Sequence, residues 1–129
     1  MVMRTPLGQV RGLGSAKKGT GDWIVSRVTS VALAVLYLAF LVIVVDLVGE
    51  PHSEVVETLA SPVVALVLLA TIVLTTIHMR LGMQVIIEDY VHDELPKFAL
   101  LIANTLFSWA VGLTAAFAVL KIAFGGGFA

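Results

Sequence analysis

The chain contains no cysteine, so no disulfide, thiolate-held cluster or cysteine nucleophile resides within it. Charge is scarce too. Only 13% of residues are Asp, Glu, Lys or Arg, against 59% hydrophobic, and the mean hydropathy is +1.02. A soluble domain of 129 residues keeps too much surface in water to hide that many apolar side chains. Catalytic signatures are missing as well. The sequence has no zinc-ligand spacing, phosphate-binding loop, dinucleotide glycine pattern or nucleophile–base set. It shows no internal repeat and no separate soluble domain. Such a chain is non-catalytic alone and reads as one part of a larger assembly.

What the sequence does have is long apolar runs. Val28–Val45 is 18 residues without a charge, Pro62–Ile77 is 16, and Phe98–Leu120 is 23. The second run continues past His78 and Arg80 through Leu81–Ile87. About 20 helical residues cross a hydrocarbon core of roughly 30 Å. The runs do not alternate as barrel strands would, and helices satisfy their own backbone groups in lipid. The expected fold is therefore an all-α membrane protein with three transmembrane helices, near 26–48, 62–88 and 97–123. Residues 1–22 form an N-terminal arm, 23–124 the transmembrane domain, and 125–129 a Gly-rich tail. The first run is longer than a usual signal core, and its Ala32–Leu33–Ala34 lies inside it, so it reads as a retained span.

Five of the eight basic residues, Arg4, Arg11, Lys17, Lys18 and Arg27, precede or open the first span. The loop Gly49–Ser61 carries Glu50, Glu54 and Glu57 and no basic residue, while Arg80 and Lys97 bracket the next loop. The positive-inside rule then puts the N-terminus and the 88–97 loop in the cytoplasm. Asp22 is the expected N-cap of the first helix, and Ser61–Pro62 the opening of the second. Ser53–Glu57 reads as a short surface turn, and Pro96 as the start of the third helix.

Polar residues inside a span are costly and mark function or packing. His78 lies 16 residues from Pro62, about 24 Å along a helix. His78, Gly82, Val85 and Asp89 share one helical face. Two readings fit. A histidine followed one turn on by glycine offers a ring nitrogen to haem iron and leaves room for the macrocycle edge. Alternatively, the imidazole hydrogen-bonds a neighbouring helix. If His78 is a haem ligand, the second ligand comes from another polypeptide, since His52 and His92 lie in loops. Arg27, at the same level, suits either snorkelling to lipid phosphate, which the residues alone favour, or pairing with a haem propionate. Arg80, on another face from His78, reaches headgroups or a partner's acid. Asp89–Tyr90, about 18 Å past His78, suits either a quinone carbonyl or an aromatic belt. Ser108, Gly112 and Ala116 make a small-residue face for close packing.

The segment His78-Met-Arg-Leu-Gly82-Met-Gln-Val-Ile-Ile-Glu-Asp89-Tyr90 resembles the hydrophobic membrane anchors of succinate dehydrogenase, respiratory complex II. The opening Asp22-Trp-Ile-Val-Ser-Arg27-Val-Thr-Ser30 is similar to that family's first span. The resemblance implies a bacterial-type inner-membrane anchor that packs with a second three-helix anchor subunit. Together they would hold haem b and dock iron–sulfur and flavoprotein subunits on the cytoplasmic side. By the same resemblance, His78 would be an axial ligand to the haem iron, with Gly82 at close haem approach. Tyr90 would hydrogen-bond ubiquinone, with Asp89 beside it, and Arg27 would meet a haem propionate or the quinone pocket. Succinate oxidation would reside in the flavoprotein. The alternatives are a fumarate reductase anchor and a small helical transport or assembly protein without haem.

Overall fold

The computed structural model describes residues 5–11 and 19–125. Residues 1–4 and 12–18 of the arm and 126–129 of the tail lie outside the described residues, and with them Arg4, Lys17 and Lys18. The described residues form helices and no strand. A short α1 (Pro6–Val10) precedes α2 (Gly19–Asp46), α3 (His52–Ala60), α4 (Pro62–Tyr90) and α5 (Glu94–Ala123). Three of them, α2, α4 and α5, are long and apolar enough to cross a membrane. The 29 residues of α4 extend roughly 43 Å, so both its ends reach headgroup level.

The helix ends follow from local chemistry. Ser61 opens α4, its hydroxyl accepting from the Val64 N–H at 3.4 Å, and Pro62 takes the first helical position, where a missing N–H costs nothing. The Ser61 N–H also closes α3 by donating to the Thr58 carbonyl. Asp22, expected as the N-cap of the first span, instead lies within the first turn of α2, where a carboxylate still complements the helix dipole. The third span starts at Glu94, two residues before Pro96, with Asp93 at the cap position. The expected turn at Ser53–Glu57 is part of the nine-residue α3. Half-buried Val55, Thr58 and Leu59 give it one inward face, which packs on α4 and α5. Gly49, at φ 88°, provides the left-handed residue between α2 and α3.

Helix α4 is the centre of the bundle. It packs on both α2 and α5, whereas the backbones of α2 and α5 stay apart from each other among the described residues. Small and hydroxylated side chains fill the two seams. Thr29, Leu33, Ala65, Thr71, Thr76, Ile87 and Ser108 are buried, while most of the large apolar residues face outward. This pattern inverts that of a soluble core and is what lipid permits, since burying leucine gains nothing where the solvent is hydrocarbon. The threonine hydroxyls are satisfied by backbone carbonyls one turn back, Thr71 to Val67 at 2.7 Å and Thr76 to Ile72 at 2.8 Å. On α5, Ser108 is fully buried, and a Cβ at Gly112 would collide with the Thr76 side chain, so this small-residue face does pack closely. Only 11%, 17% and 11% of the apolar windows of α2, α4 and α5 are buried within the chain. Lipid or other subunits must cover the remainder.

Candidate functional site

His78 sits in the second half of α4, held from across the seam with α2. Its Nδ1 lies 3.0 Å from the Thr29 hydroxyl, and Thr29 is itself buried at 5% exposure. The other ring nitrogen, Nε2, makes no hydrogen bond among the described residues. The imidazole is half-buried and borders an open cleft of ≈ 420 Å³, walled by Ser30, Leu33, Ala34 and Tyr37 of α2 and Thr75 and Met79 of α4. Tyr37 and Thr75 close one side through a 2.8 Å hydroxyl–hydroxyl hydrogen bond. The expectation of a hydrogen bond to a neighbouring helix is met by the Thr29 contact.

Gly82, one turn further along α4, is exposed, and a Cβ built there would meet no atom within 4 Å. Among the described residues, nothing crowds a Cβ at that position. It lines a second pocket of ≈ 310 Å³ with Trp23 and Ser26 of α2 and Gln84, Val85 and Glu88 of α4. Asp22 reaches the same pocket. This one is the more polar of the two, as its place near the end of the span demands. Within it Gln84 donates to the Glu88 carboxylate at 2.8 Å, and Lys97 ties the start of α5 to the Glu88 carbonyl at 3.2 Å.

Because α4 is unbroken to Tyr90, Asp89 and Tyr90 follow His78 by about 17 and 18 Å along the axis. Both side chains are exposed, Tyr90 at 79%, and neither makes a hydrogen bond or ion pair among the described residues. Arg27 stacks over the Trp23 ring at 5.6 Å, a cation–π contact, and borders Val28, Val31, Ala32 and Val35 on the outer surface of α2. It lines neither the cleft at His78 nor the pocket at Gly82. Within this chain, then, His78 is brought to Thr29 and Gly82 to Trp23, while Arg27 is linked to Gly82 only through that indole. Arg80 lies two residues past His78 on α4. Its Nε is buried without a hydrogen-bond partner among the described residues, and its backbone carbonyl accepts from the Asn104 amide at 2.9 Å.

Two residues of this network carried no role in the sequence reading. Thr29 anchors His78, and Asn104 joins α5 to α4 beside Arg80. The available signal was a hydroxyl or amide set in an apolar run at a depth matching a polar residue on the adjacent antiparallel span.

Comparison with known proteins agrees with the helical pattern. Residues 1–120 match the family described as the succinate dehydrogenase/fumarate reductase transmembrane subunit. The succinate dehydrogenase hydrophobic membrane anchor subunit of Paracoccus denitrificans is 30% identical over 121 residues, covering 94% of this chain and 93% of that protein. The protein of the same name from Rickettsia bellii is 30% identical over 105 residues, covering 81% and 84%. That from Rickettsia conorii is 32% identical over 96 residues, covering 73% and 75%. No solved structure matches the chain. With three membrane-length helices and a family match across nearly its whole length, the chain belongs to the succinate dehydrogenase/fumarate reductase transmembrane subunits, as a multi-pass membrane anchor of the succinate dehydrogenase type.

Proposed function

We propose that this anchor binds haem b jointly with a second anchor subunit and forms part of the site where ubiquinone is reduced. The observation that carries the reading is the state of His78, whose Nδ1 is engaged by Thr29 while Nε2 is left open. A metal-ligating histidine characteristically has its second nitrogen fixed by a hydrogen bond. The donor set also fits. Imidazole is an ordinary axial ligand for haem iron, and Gly82 leaves free the space that a Cβ would begin to occupy. The residues that would hold the group are His78 through Nε2, Gly82 by close approach, and Arg27 by pairing with a propionate. When bound, the haem supplies a one-electron carrier within the membrane. A second protein ligand to the iron would come from the partner anchor.

At the end of α4, Tyr90 and Asp89 are free to meet a quinone. The phenol O–H donates to a quinone carbonyl, orienting the ring and favouring the negative charge that grows on that oxygen during reduction. Asp89 beside it is placed to pass protons from the aqueous phase. The basic residues before and at the start of α2 support a cytoplasmic position for this end, the side on which iron–sulfur and flavoprotein subunits would dock. Succinate oxidation then occurs in the flavoprotein, and the anchor contributes no residue to that step. The relatives' names favour succinate oxidation over fumarate reduction.

The test is a reduced-minus-oxidised visible spectrum of the co-purified complex carrying His78→Ala. Loss of the b-type band with all subunits retained is the expected result. An unchanged band would remove His78 from iron ligation.

A further inference from the structure

We infer that Thr29 fixes the tautomer and ring plane of His78, making it a positioning residue for the iron-facing nitrogen; this rests on the haem reading above. The bookkeeping of one proton leads there. Thr29 Oγ1 lies 2.8 Å from the Val25 carbonyl oxygen and 3.0 Å from that of Ser26. Two oxygens at 2.8 Å need a hydrogen between them, and a carbonyl has none to give. The single hydroxyl proton of Thr29 is therefore spent on its own helix, as in-helix threonines commonly do.

The 3.0 Å contact to His78 Nδ1 then has only one consistent polarity. Oγ1 accepts, and Nδ1 donates. A neutral imidazole with hydrogen on Nδ1 carries its lone pair on Nε2. The form of histidine that binds iron through Nε2 is thus selected by α2 before any cofactor arrives. The chain Nδ1–H to Oγ1–H to backbone carbonyl is also polarised in one direction. It pushes electron density into the ring and strengthens Nε2 as a donor, which favours the ferric over the ferrous state. Thr29 is buried and lies on the seam between α2 and α4, so packing locks the acceptor in place.

The experiment uses the intact complex with Thr29→Val, which keeps the shape and removes the acceptor, and Thr29→Ser, which keeps the hydroxyl. Haem retention is read by transfer to excess apomyoglobin, and the haem midpoint potential by redox titration. Thr29→Val should hold haem about 10- to 100-fold less tightly, the usual cost of losing such a partner. Its midpoint should move positive by about 59 mV for each tenfold loss of ferric over ferrous preference. Thr29→Ser should restore both. Wild-type retention and potential in Thr29→Val would overturn the inference. If Thr29→Val does not assemble, Thr29→Ala, which also removes the acceptor and needs less room, is read in the same way: weaker haem retention and a positive potential shift support the assignment, and wild-type values refute it. His78→Ala run in parallel separates the two ideas. A retained b-type band there removes His78 from iron ligation, the part of the haem reading this inference rests on, whereas loss of the band there with an unmoved Thr29→Val sinks only the role of Thr29.

Discussion

Gly112→Ala tests whether the α4–α5 seam is as close as described. A Cβ at Gly112 would lie 2.9 Å from Thr76 Cγ2 and 3.1 Å from Thr76 Cβ, with Oγ1 closer still, against an ordinary contact of 3.4–4 Å. Thr76 cannot turn aside cheaply. It is β-branched and stiff at χ1, it is 6% exposed, and its hydroxyl is bonded to the Ile72 carbonyl at 2.8 Å. Overpacking of this kind costs about 1–3 kcal/mol. Replacing glycine by alanine inside a helix returns about 0.5–1 kcal/mol. The net expectation is a loss of about 0–2.5 kcal/mol, the difference between those two ranges. In a Thr76→Ala background the two closest atoms are gone, and the same substitution should become neutral or stabilising. Thr76→Ala by itself should cost little, because the lost hydroxyl bonded only within α4. The assay is an SDS titration of the assembled complex in mixed micelles, followed by the fluorescence of Trp109, three residues from Gly112 on α5. A coupling of at least about 1 kcal/mol across the four variants is the expected outcome. Equal costs of Gly112→Ala in both backgrounds would refute the contact.

Gly82 makes the opposite prediction. A Cβ there meets no atom within 4 Å among the described residues, so Gly82→Ala should leave the SDS midpoint near wild type while lowering haem per complex. Undiminished haem would show that the open face of Gly82 serves something else. For Tyr90→Phe, losing one hydrogen bond of about 0.5–1.5 kcal/mol should slow quinone reduction about 2- to 12-fold. Succinate oxidation with an artificial acceptor should persist, and equal loss of both activities would assign Tyr90 a structural role.

Run length, spacing and local chemistry were enough to define the three spans, the cap at Ser61–Pro62 and the depth of His78 along its helix. These are local properties, because run length is matched against bilayer thickness and a cap needs only a serine oxygen and a proline at the right spacing. The family was legible too, through the spacing of His78, Gly82, Asp89 and Tyr90. Helix α3 was not, since its inward face of Val55, Thr58 and Leu59 is too short to register as a helix before α4 and α5 supply a surface to cover it. Nor could the residues in order say that α4 would stand between α2 and α5, that Thr29 would reach His78, or that Asn104 would find the carbonyl of Arg80. Those pairings join residues 49 and 24 positions apart and depend on the rotation and sliding of one helix against another. In lipid the outer and inner faces of a span are both apolar, so no stripe of hydrophobicity announces which side will be buried. Only the packed helices decide it, through small residues that permit close approach and polar groups that need a partner once water is gone.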